Sequence, residues 1–170
     1  QVRFWVNEGP AAIKKDGKVH LAFSASGTGS EYCIGVLTAD ENADLTKPEN
    51  WTKNPYPIMT STDFNDEVSG PGHNSFTVDE NGNQIIVYHA RPTEAHKGHS
   101  GDPLYDPCRH AYIKPVFYDK DGMPILNMSD EEFVKEEKTS IKVTVKGDAA
   151  DTKPSLEYKF DEEYLSLIHI

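Results

Sequence analysis

Positive charge is scarce in this chain. Its 17 lysines and arginines are outnumbered by 28 aspartates and glutamates, for a formal net charge of −11. That balance argues against nucleic-acid backbones and anionic membrane surfaces as partners. A neutral partner such as a sugar is compatible with it. Long apolar runs are missing too: none approaches the roughly 18–20 residues that span a bilayer. Cysteine is nearly absent, with only Cys33 and Cys108. No Cys-x-x-Cys pair points to zinc or redox work. The two cysteines read as buried free thiols, or as a disulfide if their Cα atoms come within roughly 7 Å. The first residue is Gln, and no charged start followed by an apolar signal segment is present. The chain therefore reads as a processed product or a fragment. Its compartment stays open between extracellular and bacterial-cytoplasmic. At 170 residues, 36% of them hydrophobic, it suffices for one domain or part of a larger one.

What is present is a series of short strands and turns, with no long amphipathic helix. In PAAIKKDGKVHLAFSAS, Asp16-Gly17 between apolar runs predicts a hairpin. EYCIGVLTAD adds a third strand. The loop after it predicts a short helical turn around Pro48–Trp51 and an edge strand near Ile58. The pattern then repeats. HNSFTVDENGNQIIVYHAR gives strand, Asn81-Gly82 turn, strand. RHAYIKPVFYDKDGMPIL gives a third strand, a turn at Asp121-Gly122 and a short fourth strand. Two successive units of about four antiparallel strands suggest propeller blades rather than a sandwich, and two blades alone cannot close a propeller. From Met128 onward the sequence is dense in Asp, Glu and Lys. Residues 128–170 read as an acidic linker and a truncated β-rich tail. The closing hexamer LSLIHI (165–170) fits a strand or translated adapter sequence.

Three stretches could carry chemistry. In NEGP, Glu8 sits between apolar Phe4-Trp5-Val6 and a rigid Gly9-Pro10 step. Apolar surroundings raise a carboxyl pKa, which is what a general acid needs near neutral pH. The plainer reading is a surface glutamate at a strand start. In SGPGHNSF, residues 69–76, Gly-Pro-Gly predicts a tight exposed backbone just ahead of His73. That imidazole could ligate a metal, orient water or simply hydrogen-bond within the fold. In GDPLYDPCRHAYI, residues 101–113, two Asp-Pro steps shape a loop that delivers Arg109. Its planar fork suits vicinal oxygens. Otherwise it closes the loop by a salt bridge to Asp102 or Asp106. His89, His96 and His99 fall in the same region, and HKGH reads as a solvated loop.

Taken together, NEGPAAI, YCIGVLTAD, GPGHNSFTV, VYHAR and DPLYDPCRH, in this order and spacing, resemble glycoside hydrolase family 43. The match is to its arabinofuranosidase-like members, over roughly residues 3–127. The resemblance implies an all-β fold, a partial five-bladed β-propeller. It makes residues 1–127 the C-terminal part of that propeller, about its last two blades. It also implies inverting hydrolysis of arabinose- or xylose-containing plant polysaccharides, with arabinan and arabinoxylan oligosaccharides as partners. Carried over by residue, the general acid falls on Glu8 and the axial metal-site histidine on His73. The metal implied there is calcium, reached largely through water. The sugar-contacting arginine falls on Arg109, and Trp5 and Phe76 are further substrate-binding candidates. Cys108 stands where similar loops more usually carry Asn. The family's catalytic base, and the Asp that tunes the acid, lie upstream of the position of Glu8. The chain would then carry the acid without its base and be inactive alone. The alternative is a non-catalytic carbohydrate-binding propeller, in which Trp5, Phe76 and Tyr88 stack on sugars and Glu8 only hydrogen-bonds.

Overall fold

The computed structural model describes residues 5–64, 67–98 and 101–128, all within one compact unit, Gln1–Asp130. The β segment expected after the acidic linker lies outside the described residues. Among the described residues there are nine strands, one short α-helix and three 3-10 turns, the strands and α-helix being β1 (Val6–Lys15), β2 (Lys18–Ser26), β3 (Cys33–Asp40), β4 (Thr52–Lys53), β5 (Val68–Val78), β6 (Gln84–Pro92), α1 (Thr93–Lys97), β7 (His110–Pro115), β8 (Phe117–Tyr118) and β9 (Pro124–Ile125). All pairings are antiparallel and follow chain order, as β1-β2-β3-β4, β5-β6-β7 and β8-β9. The expected all-β class holds, with two successive sheets as blades of a partial propeller.

The turns follow their residues. Asp16 and Gly17 both take positive φ (47° and 78°). That is the conformation that matches a two-residue turn to the twist of its strands. The other two turns are copies of one another. In DENGN the Asp79 carboxylate accepts from the N–H groups of Asn81 and Asn83, and Gly82 turns back at φ 84°. In DKDGM, Asp119 accepts from Asp121 and Met123, with Gly122 at φ 77°. A short polar side chain that caps its own turn, followed by a left-handed glycine, makes a bulged hairpin loop.

Two details depart from the expectation. The edge of the first sheet is split. Thr52–Lys53 pairs with Leu37–Thr38, and the chain returns to Ile34 at Ile58–Met59, where Ile58 N–H donates to Ile34 O and Ile34 N–H donates to Met59 O. Pro55 and Pro57 stand between them, and neither has an N–H to give a ladder. In the second unit the short fourth strand does not join the sheet. Val116 spends its N–H on Gln84 O, and the chain turns away to form the separate β8-β9 ribbon. The HKGH stretch also differs: α1 runs through His96 and Lys97.

One apolar cluster draws on both sheets, joining Ile13, Ala22, Ile34 and Met59 to Ile86, Tyr88, Ala90, Val116 and Leu126. Ile34 and Ile86 are wholly buried, each contributing about 1.5–3 kcal/mol. This shared core sets the Glu8 end of β1 beside the His73 bend of β5.

Candidate active site

Glu8 faces Ser24 across β1 and β2. Immediately after it the register slips, with three steps along β1 to Ala11 matched by two along β2 to Ala22. The extra residue falls in Gly9-Pro10, where Gly9 takes φ 57°. A bulge of this kind re-aims the side chain beside it. β5 is broken the same way twice, between Ser69 and Gly72 and between Gly72 and Ser75. Gly70 (φ 62°) and His73 (φ 49°) absorb the bends. The two irregular stretches meet. A Cβ at Gly9 would lie 3.3 Å from Cγ and Nδ1 of His73. Two motifs 65 positions apart therefore form one corner of the structure.

Half-buried Glu8 is held from the far side by Tyr32, whose hydroxyl donates to Oε1 at 2.7 Å. Ser24, fully buried, accepts the backbone N–H of His73 at 2.6 Å and also hydrogen-bonds the Tyr32 hydroxyl. The Tyr32 ring stacks on His89, with centroids 5.5 Å apart, and the His73 ring lies 6.4 Å from the same imidazole. Gly72 makes the approach possible, since a Cβ there would stand 2.2 Å from Tyr32 Cε1. Burial raises the Tyr32 phenol to about 12, the Ser24 hydrogen bond opposing and Glu8 adding to the rise. Burial first, then the Arg109 and Arg91 guanidinium groups and His73, holds His89 down at about 4, while Glu8 pulls the other way. His89 is therefore a neutral ring at neutral pH. Its Nε2 is buried without a hydrogen bond among the described residues.

Arg109 lies within electrostatic reach of both Tyr32 and His89. It closes its loop by donating to the carbonyls of Pro103 and Leu104. Asp106 belongs to Arg91, a residue that sequence reasoning did not single out. Nε lies 3.2 Å from Oδ2, and the side chains are 1% and 0% exposed. Arg91 also donates to Pro103 O at 2.7 Å, so two guanidinium groups share one carbonyl.

The structure thus brings Glu8, His73 and Arg109 into one neighbourhood, and adds Tyr32, Ser24, His89 and Arg91. Trp5 stands 68% exposed just before β1. Phe76 does not join the group: it packs, half-buried, against the apolar cluster. Tyr88, a stacking candidate in the sugar-binding alternative, is 3% exposed and stacks between Phe64 and Tyr112 in the core. No sugar could reach its face. Cys33 and Cys108 are free thiols, half-buried.

Calcium takes six to eight oxygen ligands. His73 offers nitrogen, and no group of three or more His, Cys, Asp or Glu able to hold a metal occurs among the described residues. These residues do not by themselves fit a calcium site.

With the fold and this corner of the structure described, comparison puts the chain with the glycosidases. It belongs to glycosyl hydrolases family 43, whose family model matches residues 1–124. An extracellular exo-alpha-(1->5)-L-arabinofuranosidase of Streptomyces avermitilis is 46% identical over 124 residues, 72% of this chain and 25% of that protein. Alpha-L-arabinofuranosidase 43 of Humicola insolens is 42% identical over 125 residues, 73% of this chain and 25% of that protein. Among solved structures, the alpha-L-arabinofuranosidase from Lactobacillus brevis is 44% identical with a TM-score of 0.65, over 71% of this chain and 36% of that one. The chain spans about a quarter of the length of these curated relatives.

Proposed function

We propose that the full-length protein is an α-L-arabinofuranosidase that hydrolyses arabinan or arabinoxylan oligosaccharides with inversion, and that Glu8 is its general acid. The observation that carries this reading is the placement of Glu8. It is half-buried at a bulged strand entrance, held through one oxygen by Tyr32, and set in the corner that also holds His73. The relatives named arabinofuranosidases support the choice of sugar.

In this mechanism the protonated Glu8 gives its proton to the glycosidic oxygen as the C–O bond breaks. A carboxylate base on the opposite face of the sugar activates water, the two carboxyl groups standing roughly 6.5–9.5 Å apart. Arg109, near Glu8 but tied to its loop by Nη2, positions the sugar with its remaining donors. The base comes from elsewhere in the full-length protein, so residues 1–170 alone are inactive. A calcium ion near His73 would take its oxygens from water and from other parts of that protein, and no step here runs through it.

The test is Glu8→Ala in the full-length protein. Loss of general acid catalysis costs about 10²–10⁴-fold in kcat on natural arabinan. It costs far less on an aryl arabinofuranoside whose leaving group needs no proton. Wild-type activity on arabinan would falsify the assignment.

A further inference from the structure

Glu8 is the last member of a hydrogen-bonded chain that runs from the backbone of β5 through two hydroxyl groups. The backbone N–H of His73 can only donate, so Ser24 Oγ, 2.6 Å away, accepts from it. At the other end the Tyr32 hydroxyl donates to Glu8 Oε1, 2.7 Å away. Between these ends Ser24 also bonds the Tyr32 hydroxyl. With Tyr32 donating to Glu8, its one hydroxyl hydrogen is used, and Ser24 donates to the Tyr32 oxygen. A hydroxyl that accepts one such bond is a better donor of the next. The ring that carries the hydroxyl cannot drift, because it is packed against Gly72 and stacked on His89.

We infer that Tyr32 is the positioning residue of Glu8, donating to Oε1 so that Oε2 is the oxygen that carries the transferable proton. The inference rests on the reading of Glu8 as general acid. When the proton leaves Oε2 for the glycosidic oxygen, the sugar C–O bond breaks and the negative charge stays on the Glu8 carboxylate. The Tyr32 hydrogen bond then becomes a charge-assisted one and strengthens as the charge develops. Ser24 extends the same support to the His73 backbone, so the bend of β5 is coupled to the orientation of the acid.

The experiment compares Tyr32→Phe, Ser24→Ala and Glu8→Ala in the full-length enzyme. The substrates are an arabino-oligosaccharide and an aryl arabinofuranoside with a good leaving group. Tyr32→Phe keeps the ring and its stack and removes only the donor. It should lower kcat on the oligosaccharide by about 10-fold to 100-fold, a fraction of what general acid catalysis supplies. On the aryl substrate kcat should stay within about 3-fold, with KM on both little changed. Ser24→Ala should show the same split, smaller in size. Equal losses on the two substrates, or no loss on either, would overturn the positioning role. If Glu8→Ala shows the leaving-group split while Tyr32→Phe does not, the acid assignment survives and this inference alone fails. If Glu8→Ala leaves oligosaccharide hydrolysis intact, both fail.

Discussion

The two sheets are built from the same hairpin plan and serve the site in different ways. In the first sheet β2 and β3 pair in unbroken register, and the only slip lies at Gly9-Pro10 of β1. On this side Glu8 is held by a hydrogen bond from the Tyr32 hydroxyl. The second sheet slips twice along β5, and at the end of β6 it buries the Arg91–Asp106 ion pair. It contributes His73, which lies against Gly9, and His89, which stacks on Tyr32. The contrast shows how one scaffold divides the labour. A regular ladder fixes position, while a broken ladder admits charge and close backbone approach.

The largest expected effect breaks the second sheet's charge arrangement. Arg91→Ala removes the buried guanidinium that faces the Asp106 carboxylate and should destabilise the full-length protein by about 3–5 kcal/mol in denaturant unfolding. The exposed ion pair of the first sheet, Lys14 Nζ to Glu41 Oε2 at 3.2 Å, is its counterpart and appears again at the end of this ranking. Next in size is Gly72→Ala. Its Cβ would overlap Tyr32, and overpacking of this kind costs about 1–3 kcal/mol. Gly17→Ala in the first sheet meets open space and should cost about 1–2 kcal/mol, from the left-handed backbone alone. Only the variant at 72 should also impair hydrolysis of the oligosaccharide.

A smaller effect follows pH, and it compares one histidine from each sheet. Unfolded His89 titrates near 6.5 and folded His89 at about 4. Between those values the unfolded chain binds the extra proton. The stability that His89 contributes is fully present above about pH 6.5 and is lost as the pH falls toward 4. His20 is buried and shifted the same way, so the first sheet adds a loss of the same sign. Thermal midpoints from pH 7 to pH 4.5 should fall less steeply in His89→Gln than in the wild type. An equal slope would remove His89 from this account. Last comes Lys14→Ala, which should change stability by less than about 0.5 kcal/mol, because exposed pairs are screened by solvent.

The turns were legible in the sequence because their chemistry is local. Asp16-Gly17, Asn81-Gly82 and Asp121-Gly122 each carry the residues their backbone angles require. The first three strands of the first sheet were legible around those turns, whereas its edge was not, since β4 falls at Thr52–Lys53. Glu8, His73 and Arg109 stood out through motif resemblance, not through any pattern that placed them together. Tyr32 was missed altogether. Its bond to Glu8 crosses 24 positions, and in the stretch EYC nothing distinguishes it from an ordinary strand-entry aromatic. Arg91 was missed although VYHAR was noted, because its pairing with Asp106 crosses the loop and depends on both side chains being buried. Phe76 and Tyr88 erred in the opposite direction. A strand aromatic looks the same in sequence whether it faces a sugar or a core.

The contact between Gly9 and His73 has a bearing on how such blades can be recombined. The bulge of the first sheet and the bend of the second are mated parts. A side chain at one displaces the imidazole at the other, and a straightened bend would leave the bulge without its neighbour. A chimera that takes residues 6–10 from one parent and 69–75 from another therefore joins halves that never fitted together, even if each blade folds faultlessly. In this chain the natural unit of exchange is the corner between two blades.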